Sequence, residues 1–279
     1  MTTQTTLQAE LQDTLDRAFT FAVDLAKEAG ALLRGYQEAG FAIQHKGAVD
    51  LVTDADKASE TLIAARIRET WPDHRLIGEE GARGAGEDAP FGWIVDPLDG
   101  TTNFAHRYPH FAVSICLEHR GTPVLGVVYD PMRDELFAAV TGRGATLNGK
   151  PISVSSTEQL QQALMATGFS YVIAERGEGT ALWTAFNNGA QGLRRDGAAA
   201  LNMVYVACGR LDAYFERPVN AWDVSAGSVI VQEAGGVVAG LEDDAYVLER
   251  REIVASNPAL LGQIHALIAE TIATLAEDR

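Results

Sequence analysis

Apolar residues recur at alternating intervals of four and three early in the chain: Leu11, Leu15, Ala18, Ala22, Leu25, Ala29 and Leu32. That spacing lays them along one face and predicts a long opening helix. Phe41 to Lys46 alternates Phe, Ile and His with smaller or polar residues, and Thr53 or Asp54 is placed to cap a second helix. Its expected buried stripe is Ala55, Ala58, Leu62 and Ala65, and its end is Trp71-Pro72. The Gly- and acid-rich stretch from Gly81 to Pro90 reads as an exposed loop.

The texture changes at Phe91. Short apolar runs follow one another, namely Trp93-Ile94-Val95, Phe111 to Leu117, Val124 to Tyr129 and Leu136 to Val140; the last three are parted by turn residues, as suits antiparallel strands. It changes again after Ser155. Helices near 180–187, 197–207 and 223–234 alternate with strands near 164–167, 213–216 and 253–255, which predicts a mixed or parallel sheet with helices on its faces. A closing helix carries Leu261, Ile264, Ile268, Ile272 and Leu275 on one side. No internal repeat, low-complexity tract or flexible linker separates these regions, so any two domains share one rigid interface.

At 279 residues, and at roughly 100–200 residues per domain, the chain has room for one large domain or two intimate ones. Hydrophobic residues at 47% and charged residues at 22% argue against disordered and fibrous architectures. The 22 Lys and Arg are outnumbered by 38 Asp and Glu, and the formal net charge of −16 opposes attraction to nucleic acid. An anionic substrate therefore needs a local cation, which a bound divalent metal supplies. Cys116 and Cys208, the only cysteines, make neither a disulfide framework nor a zinc ribbon and fit a reducing compartment. Met1 to Glu10 lacks the basic and apolar regions of a secretory signal, and no apolar run approaches the ~18 residues of a membrane span. A cytoplasmic protein is the expectation.

The most informative segment is Asp96-Pro97-Leu98-Asp99-Gly100-Thr101-Thr102-Asn103-Phe104, directly after the apolar run 92–95 and so at a strand end. Two carboxylates three residues apart across a Pro-containing turn can converge on hard cations, and Gly100 lets backbone N–H groups approach an anion. Taken singly, Asp-Pro and Asp-Gly are ordinary turn dipeptides. Three further acids stand in suggestive contexts. Glu79 follows Leu76-Ile77-Gly78 at another strand end, although a Glu79-Glu80 pair alone reads as solvated surface. Asp223 opens a helix after Trp222, where a lone N-cap is the plainer reading. Asp56 lies in a first helical turn, where the helix dipole favours any acid. None of the six histidines stands in an H-E-x-x-H arrangement, and hard oxygen ligands favour Mg²⁺ over zinc.

Together these segments resemble the inositol monophosphatase family, the magnesium-dependent, lithium-sensitive sugar-phosphate phosphatases that include fructose-bisphosphatases and nucleotide phosphatases. The resemblance rests on Asp50-Leu51-Val52-Thr53 with Asp56, Ile77-Gly78-Glu79-Glu80, the run from Trp93 to Phe104, and Trp222-Asp223 with Ala226-Gly227, and it extends from about Leu11 to about Ala269. It implies a layered αβαβα sandwich of α/β class, with an N-terminal α+β part over 1–154 holding an antiparallel sheet and a C-terminal α/β part over 155–279. The same resemblance implies that Glu79, Asp96 and the Leu98 carbonyl bind a first Mg²⁺, and that Asp96, Asp99 and Asp223 bind a second. Lys46, before Asp50, is similar to the family's loop lysine near a third ion that Glu79 also touches. Thr101, hydrogen-bonded to Asp56, resembles the pair that orients and deprotonates the attacking water, with Glu79 beside it.

Gly100, Thr101, Ala199, Glu216 and Asp223 are the implied substrate contacts, Glu216 accepting hydrogen bonds from ring hydroxyls. Asn103-Phe104 resembles the inositol and fructose-bisphosphate branch, and inositol-1-phosphate is the expected substrate. Fructose-1,6-bisphosphate, alone or as a second activity, and NADP(H) are the alternatives, for which Arg194 or Arg195 would clamp a further phosphate. Where the family commonly has Gly-Ser/Thr-Ala-Ala-Leu this chain has Gly197-Ala198-Ala199-Ala200-Leu201, so one hydroxyl is missing near the substrate. A homodimer is usual among such proteins. From another functional class, the rival is a regulatory or scaffolding protein that keeps the fold.

Overall fold

The computed structural model describes residues 2–45, 51–84, 86, 88–172, 174 and 176–277. A long helix α1 (Thr2–Ala39) leads into a two-stranded antiparallel ribbon, β1 (Ile43–His45) and β2 (Leu51–Thr53), and then α2 (Asp54–Thr70). Next come β3 (Arg75–Gly78), β4 (Arg83–Gly84), β5 (Phe91–Asp99), the short helix α3 (Thr101–Ala105), β6 (Ala112–His119), β7 (Thr122–Asp130), β8 (Glu135–Val140), β9 (Ala145–Leu147) and β10 (Lys150–Pro151). The remainder is β11 (Leu164–Thr167), α4 (Arg176–Gly189), β12 (Gly192–Arg194), α5 (Ala199–Ala207), β13 (Ala213–Glu216), α6 (Ala221–Glu233), β14 (Val237–Ala239), β15 (Ile253–Ser256) and α7 (Leu261–Glu277). Among the described residues, no helix is long and apolar enough to cross a membrane.

Eight strands form one sheet in the order β10-β9-β8-β7-β6-β5-β3-β4, and five form another in the order β12-β11-β13-β15-β14. The first is antiparallel from β10 through to β5, as the turn-separated runs predict. At its edge β3 pairs parallel to β5, because the segment around 79–90 carries the chain back to the end where β3 began. The second is mixed: β11 is parallel to both β12 and β13, while β15 is antiparallel to β13 and β14.

Strand periodicity explains the layering. Trp93, Ile115 and Val127 point to one side, where they pack with Leu25 and Leu33 of α1 and Ile63 and Ile67 of α2. Their neighbours Ile94, Cys116 and Val128 point to the other, against Leu201 and Met203 of α5 and Val224 and Ile230 of α6. Burial on both faces is why these strands read as continuous apolar runs rather than alternating ones. Beyond α5 and α6 lies the five-stranded sheet, whose outer face (Met165, Phe215, Val254) is covered by Phe186 of α4 and Ile264 and Ile268 of α7. The α/β layering expected from the sequence is therefore present.

One helix is rotated from its expected setting. In α2 the buried positions are Ala55, Asp56, Ser59, Glu60, Ile63, Ala64 and Ile67, whereas Ala58 and Leu62 are half-buried and Ala65 is exposed. Counting only apolar residues misplaces the stripe, since three of the inward residues are polar and are committed to hydrogen bonds.

Candidate active site

Asp96 and Asp99 lie within one strand rather than across a turn. In a regular strand, residues three apart face opposite sides. Here Asp96 pairs with Ser114 and Asp99 with Ala112, so β5 spends one residue more than β6 over this interval. That bulge at Pro97-Leu98 returns Asp99 to the face of Asp96. Both side chains are buried, and Asp96 Oδ1 accepts the Leu98 N–H at 2.9 Å. The parallel register that sets Gly78 beside Val95 puts the next residue, Glu79, beside Asp96.

Asp223 arrives from the opposite layer. The structure places Asn220, not Asp223, at the N-cap of α6; Asp223 is the third helical residue and accepts the Asn220 N–H at 2.6 Å in a capping box. The Ser114 hydroxyl donates to the Trp222 carbonyl at 3.3 Å, tying this helix start to the strand beside Asp96. Across the cleft, Asp99 accepts the N–H groups of Ala199 at 3.1 Å and Ala200 at 2.8 Å. Ala198, at the N-cap of α5, supplies no side-chain cap, and the Asp99 carboxylate takes that place. The N–H of Ala199, one of the implied substrate contacts, is thus engaged by Asp99.

The predicted Thr101–Asp56 pair is formed: Thr101 Oγ1 donates to Asp56 Oδ1 at 2.9 Å, with the Leu98 carbonyl as a second acceptor at 3.2 Å. Asp56 Oδ2 accepts both the backbone N–H and the hydroxyl of Thr53, at 2.8 and 2.5 Å, in the capping box of α2. Gly100, with φ of +91°, is the N-cap of α3, whose first N–H groups have no intrahelical acceptor.

A cavity of about 380 Å³ gathers these residues; Glu79, Asp96, Leu98, Asp99, Gly100, Thr101, Ala199, Glu216 and Asp223 all line it. Arg195 and Arg251 are on its wall as well. Arg194 is not: it lies on β12, where its guanidinium donates to the Leu193 carbonyl at 3.2 Å, so of the two candidate clamps only Arg195 reaches the cavity. Lys46 and Asp50 lie outside the described residues.

Burial pushes the Asp96 carboxyl well above the usual carboxylate range, and the neighbouring charges of Glu79, Asp99 and Asp223 push it further. Burial, then the charge of Asp223, does the same to Asp99. Burial raises Asp223 to about 6 and Glu216 to about 7. Asp56 is raised by burial against the opposing pull of its bonds to Thr53 and Thr101. Such a group of hard oxygen donors stays ionised together only beside a strong cation. Among the described residues no three His, Cys, Asp or Glu side chains form a ready-made metal-binding group. Mg²⁺ does not require one, since it keeps several waters and shares its remaining positions with substrate phosphates. The residues present therefore fit a divalent ion.

Sequence reasoning missed the supports beneath this site. Ser59 donates its hydroxyl to the Pro97 carbonyl at 2.9 Å, fixing the bulge. Glu60 accepts the N–H groups of Glu80 and Ala82 at 2.8 and 2.9 Å, holding the turn that bears Glu79. Both fall three and four residues after Asp56, a spacing that marks one helix face. Asn103 Nδ2 donates to the carbonyls of His110 and Asp196, each at 2.8 Å, joining the α3 segment to the approach of α5.

The model of the inositol monophosphatase family matches residues 14–277. The chain belongs to the inositol monophosphatase family. An inositol-1-monophosphatase of Synechocystis sp. is 46% identical over 83% of this chain and 80% of that protein. The Nus factor SuhB of Pseudomonas aeruginosa is 42% identical over 85% of this chain and 90% of its own length. The solved inositol monophosphatase of Anabaena (Nostoc) sp. superposes with a TM-score of 0.84 at 39% identity, covering 92% of this chain and 97% of that one. As a member of this family of phosphatases, which are metal-dependent and act on small phosphorylated substrates, the chain is an enzyme.

Proposed function

We propose that this chain hydrolyses the phosphate monoester of a small polyol, inositol-1-phosphate first among them, with Mg²⁺ held by Glu79, Asp96, the Leu98 carbonyl, Asp99 and Asp223. The observation that carries this reading is the Thr101–Asp56 hydrogen bond on the edge of a buried carboxylate cluster. Binding alone requires no such pair. When bound, Mg²⁺ neutralises phosphate oxygens and makes a water easier to deprotonate. The N–H groups of Gly100 and Thr101 seat the phosphate. Thr101 donates its hydroxyl hydrogen bond to Asp56, which leaves its oxygen lone pairs to orient a water towards phosphorus. As that water attacks, its proton passes to the Thr101 oxygen while the Thr101 proton passes to Asp56, whose other oxygen is anchored by Thr53. Glu216, at the end of β13, accepts a hydroxyl of the alcohol half. The complete carboxylate set favours catalysis over a scaffolding role.

Phosphate release is measured with inositol-1-phosphate, fructose-1,6-bisphosphate, NADP⁺ and adenosine-3′,5′-bisphosphate in parallel, with EDTA and lithium arms. Turnover that EDTA abolishes, Mg²⁺ restores and inositol-1-phosphate wins is the expected result. Preference for a bisphosphate transfers the substrate reading to Arg195, and no Mg²⁺-dependent turnover of any ester refutes it.

A further inference from the structure

Two residues outside the metal-binding set hold Glu216. Tyr214 lies two positions earlier on β13, hence on the same face of the strand. It is wholly buried and donates its hydroxyl to Glu216 Oε2 at 2.6 Å. On the neighbouring parallel strand Thr167 stands opposite Phe215, which brings the following residue, Gly168, alongside Glu216. A Cβ at Gly168 would sit 2.0 to 2.1 Å from the carboxyl carbon and both of its oxygens. The carboxyl group therefore occupies the space that any other residue at 168 would fill. Among the described residues Glu216 Oε1 has no hydrogen-bond partner, while both Gly168 and Glu216 line the cavity.

We propose that Tyr214 and Gly168 set the enzyme's selectivity for the alcohol half of its substrate. Tyr214 has one hydroxyl proton and gives it to Oε2, and Gly168 admits the carboxyl flat against its backbone. The two together fix the carboxylate plane and leave Oε1 to accept a substrate hydroxyl. Tyr214 is a positioning residue, acting only through Glu216. This inference rests on the reading that Glu216 meets the alcohol half.

The test compares inositol-1-phosphate with phenyl phosphate, whose leaving group offers no further hydroxyl, both with saturating Mg²⁺. In Tyr214→Phe the ratio of the two kcat/KM values falls about tenfold, the size of a lost hydrogen bond to a charged group. The fall is carried by KM for the polyol ester rather than kcat. Gly168→Ala, which displaces the carboxyl, moves the ratio in the same direction. In a Glu216→Ala background, adding Tyr214→Phe changes the ratio no further. A ratio within twofold of the parent in both single variants overturns the proposal, as does a fall that persists without Glu216. If the parent enzyme itself shows no preference for the polyol ester, the Glu216 reading fails and the proposal with it; if the preference is present and the variants leave it intact, the proposal fails alone.

Discussion

Thr101 shows what a single hydroxyl contributes. It has one proton and two acceptors, Asp56 Oδ1 and the Leu98 carbonyl, and it lines the cavity. Valine keeps the shape and removes both the donor and the lone pairs. Thr101→Val is therefore expected to lower kcat about 10²- to 10⁴-fold, the range for loss of a general acid–base relay, with the Mg²⁺ half-saturation little changed. Thr101→Ser is expected to stay within about tenfold of the parent, since it keeps the oxygen. Steady-state rates across a Mg²⁺ titration check both, and a serine variant as slow as the valine would overturn the role given to the hydroxyl. Asp96→Asn removes a charge from the centre of the cluster and is expected to abolish turnover without unfolding the chain, because the amide relieves repulsion that burial and three neighbouring acids create. Circular dichroism beside the activity assay separates the two effects.

At the scale of elements, the site depends on how closely α6 approaches the large sheet. A Cβ at Gly126 on β7 would lie 2.2 Å from the Ala226 carbonyl oxygen of α6. That atom belongs to the helix backbone and has no rotamer to escape into. Gly126→Ala is thus expected to cost about 1–3 kcal/mol and to push away the helix that carries Asp223, so that the melting temperature and Mg²⁺ affinity fall together. Thermal unfolding with and without Mg²⁺ is the measurement, and a variant that melts like the parent would show that α6 has slack. This dependence also explains what the sequence could and could not disclose. Apolar runs and caps were enough to locate β5 to β8, α5, α6 and α7, because each element's burial is written in its own residues. The bulge that puts Asp96 and Asp99 on one face was not legible, since it is defined by the partner strand's shorter count between Ala112 and Ser114. The inward face of α2 was misplaced for a related reason: Ser59 and Glu60 are buried by acceptors and donors that come from segments 20 to 38 residues away. Motif spacing disclosed the acids themselves, whereas which side chain would reach the cavity, Arg195 rather than Arg194, depended on where β12 ends along its partner β11.

For the molecule as a whole, the acid cluster makes stability depend on pH and metal together. Glu216 carries a pKa raised to about 7 and Asp223 one raised to about 6, in both cases chiefly by burial. A carboxyl raised in the folded state binds its proton more tightly there than in the unfolded chain, so stability falls as pH rises between the two values. Metal-free protein therefore loses stability from these groups between roughly pH 4 and pH 7, and the penalty is complete above that window. Two histidines work the other way: burial lowers His74 and His110, so their contribution is lost as pH drops below about 6.5. Comparing variants isolates the acids. In EDTA, Glu216→Gln is expected to gain on the parent as pH rises from 4.5 to 7.5, by up to a few kcal/mol. Added Mg²⁺ should raise the parent's melting temperature more at pH 7.5 than at pH 5, because at the lower pH protons already occupy the carboxylates that the ion needs. An equal Mg²⁺ shift at both pH values would mean that the ion binds elsewhere than among Asp96, Asp99 and Asp223.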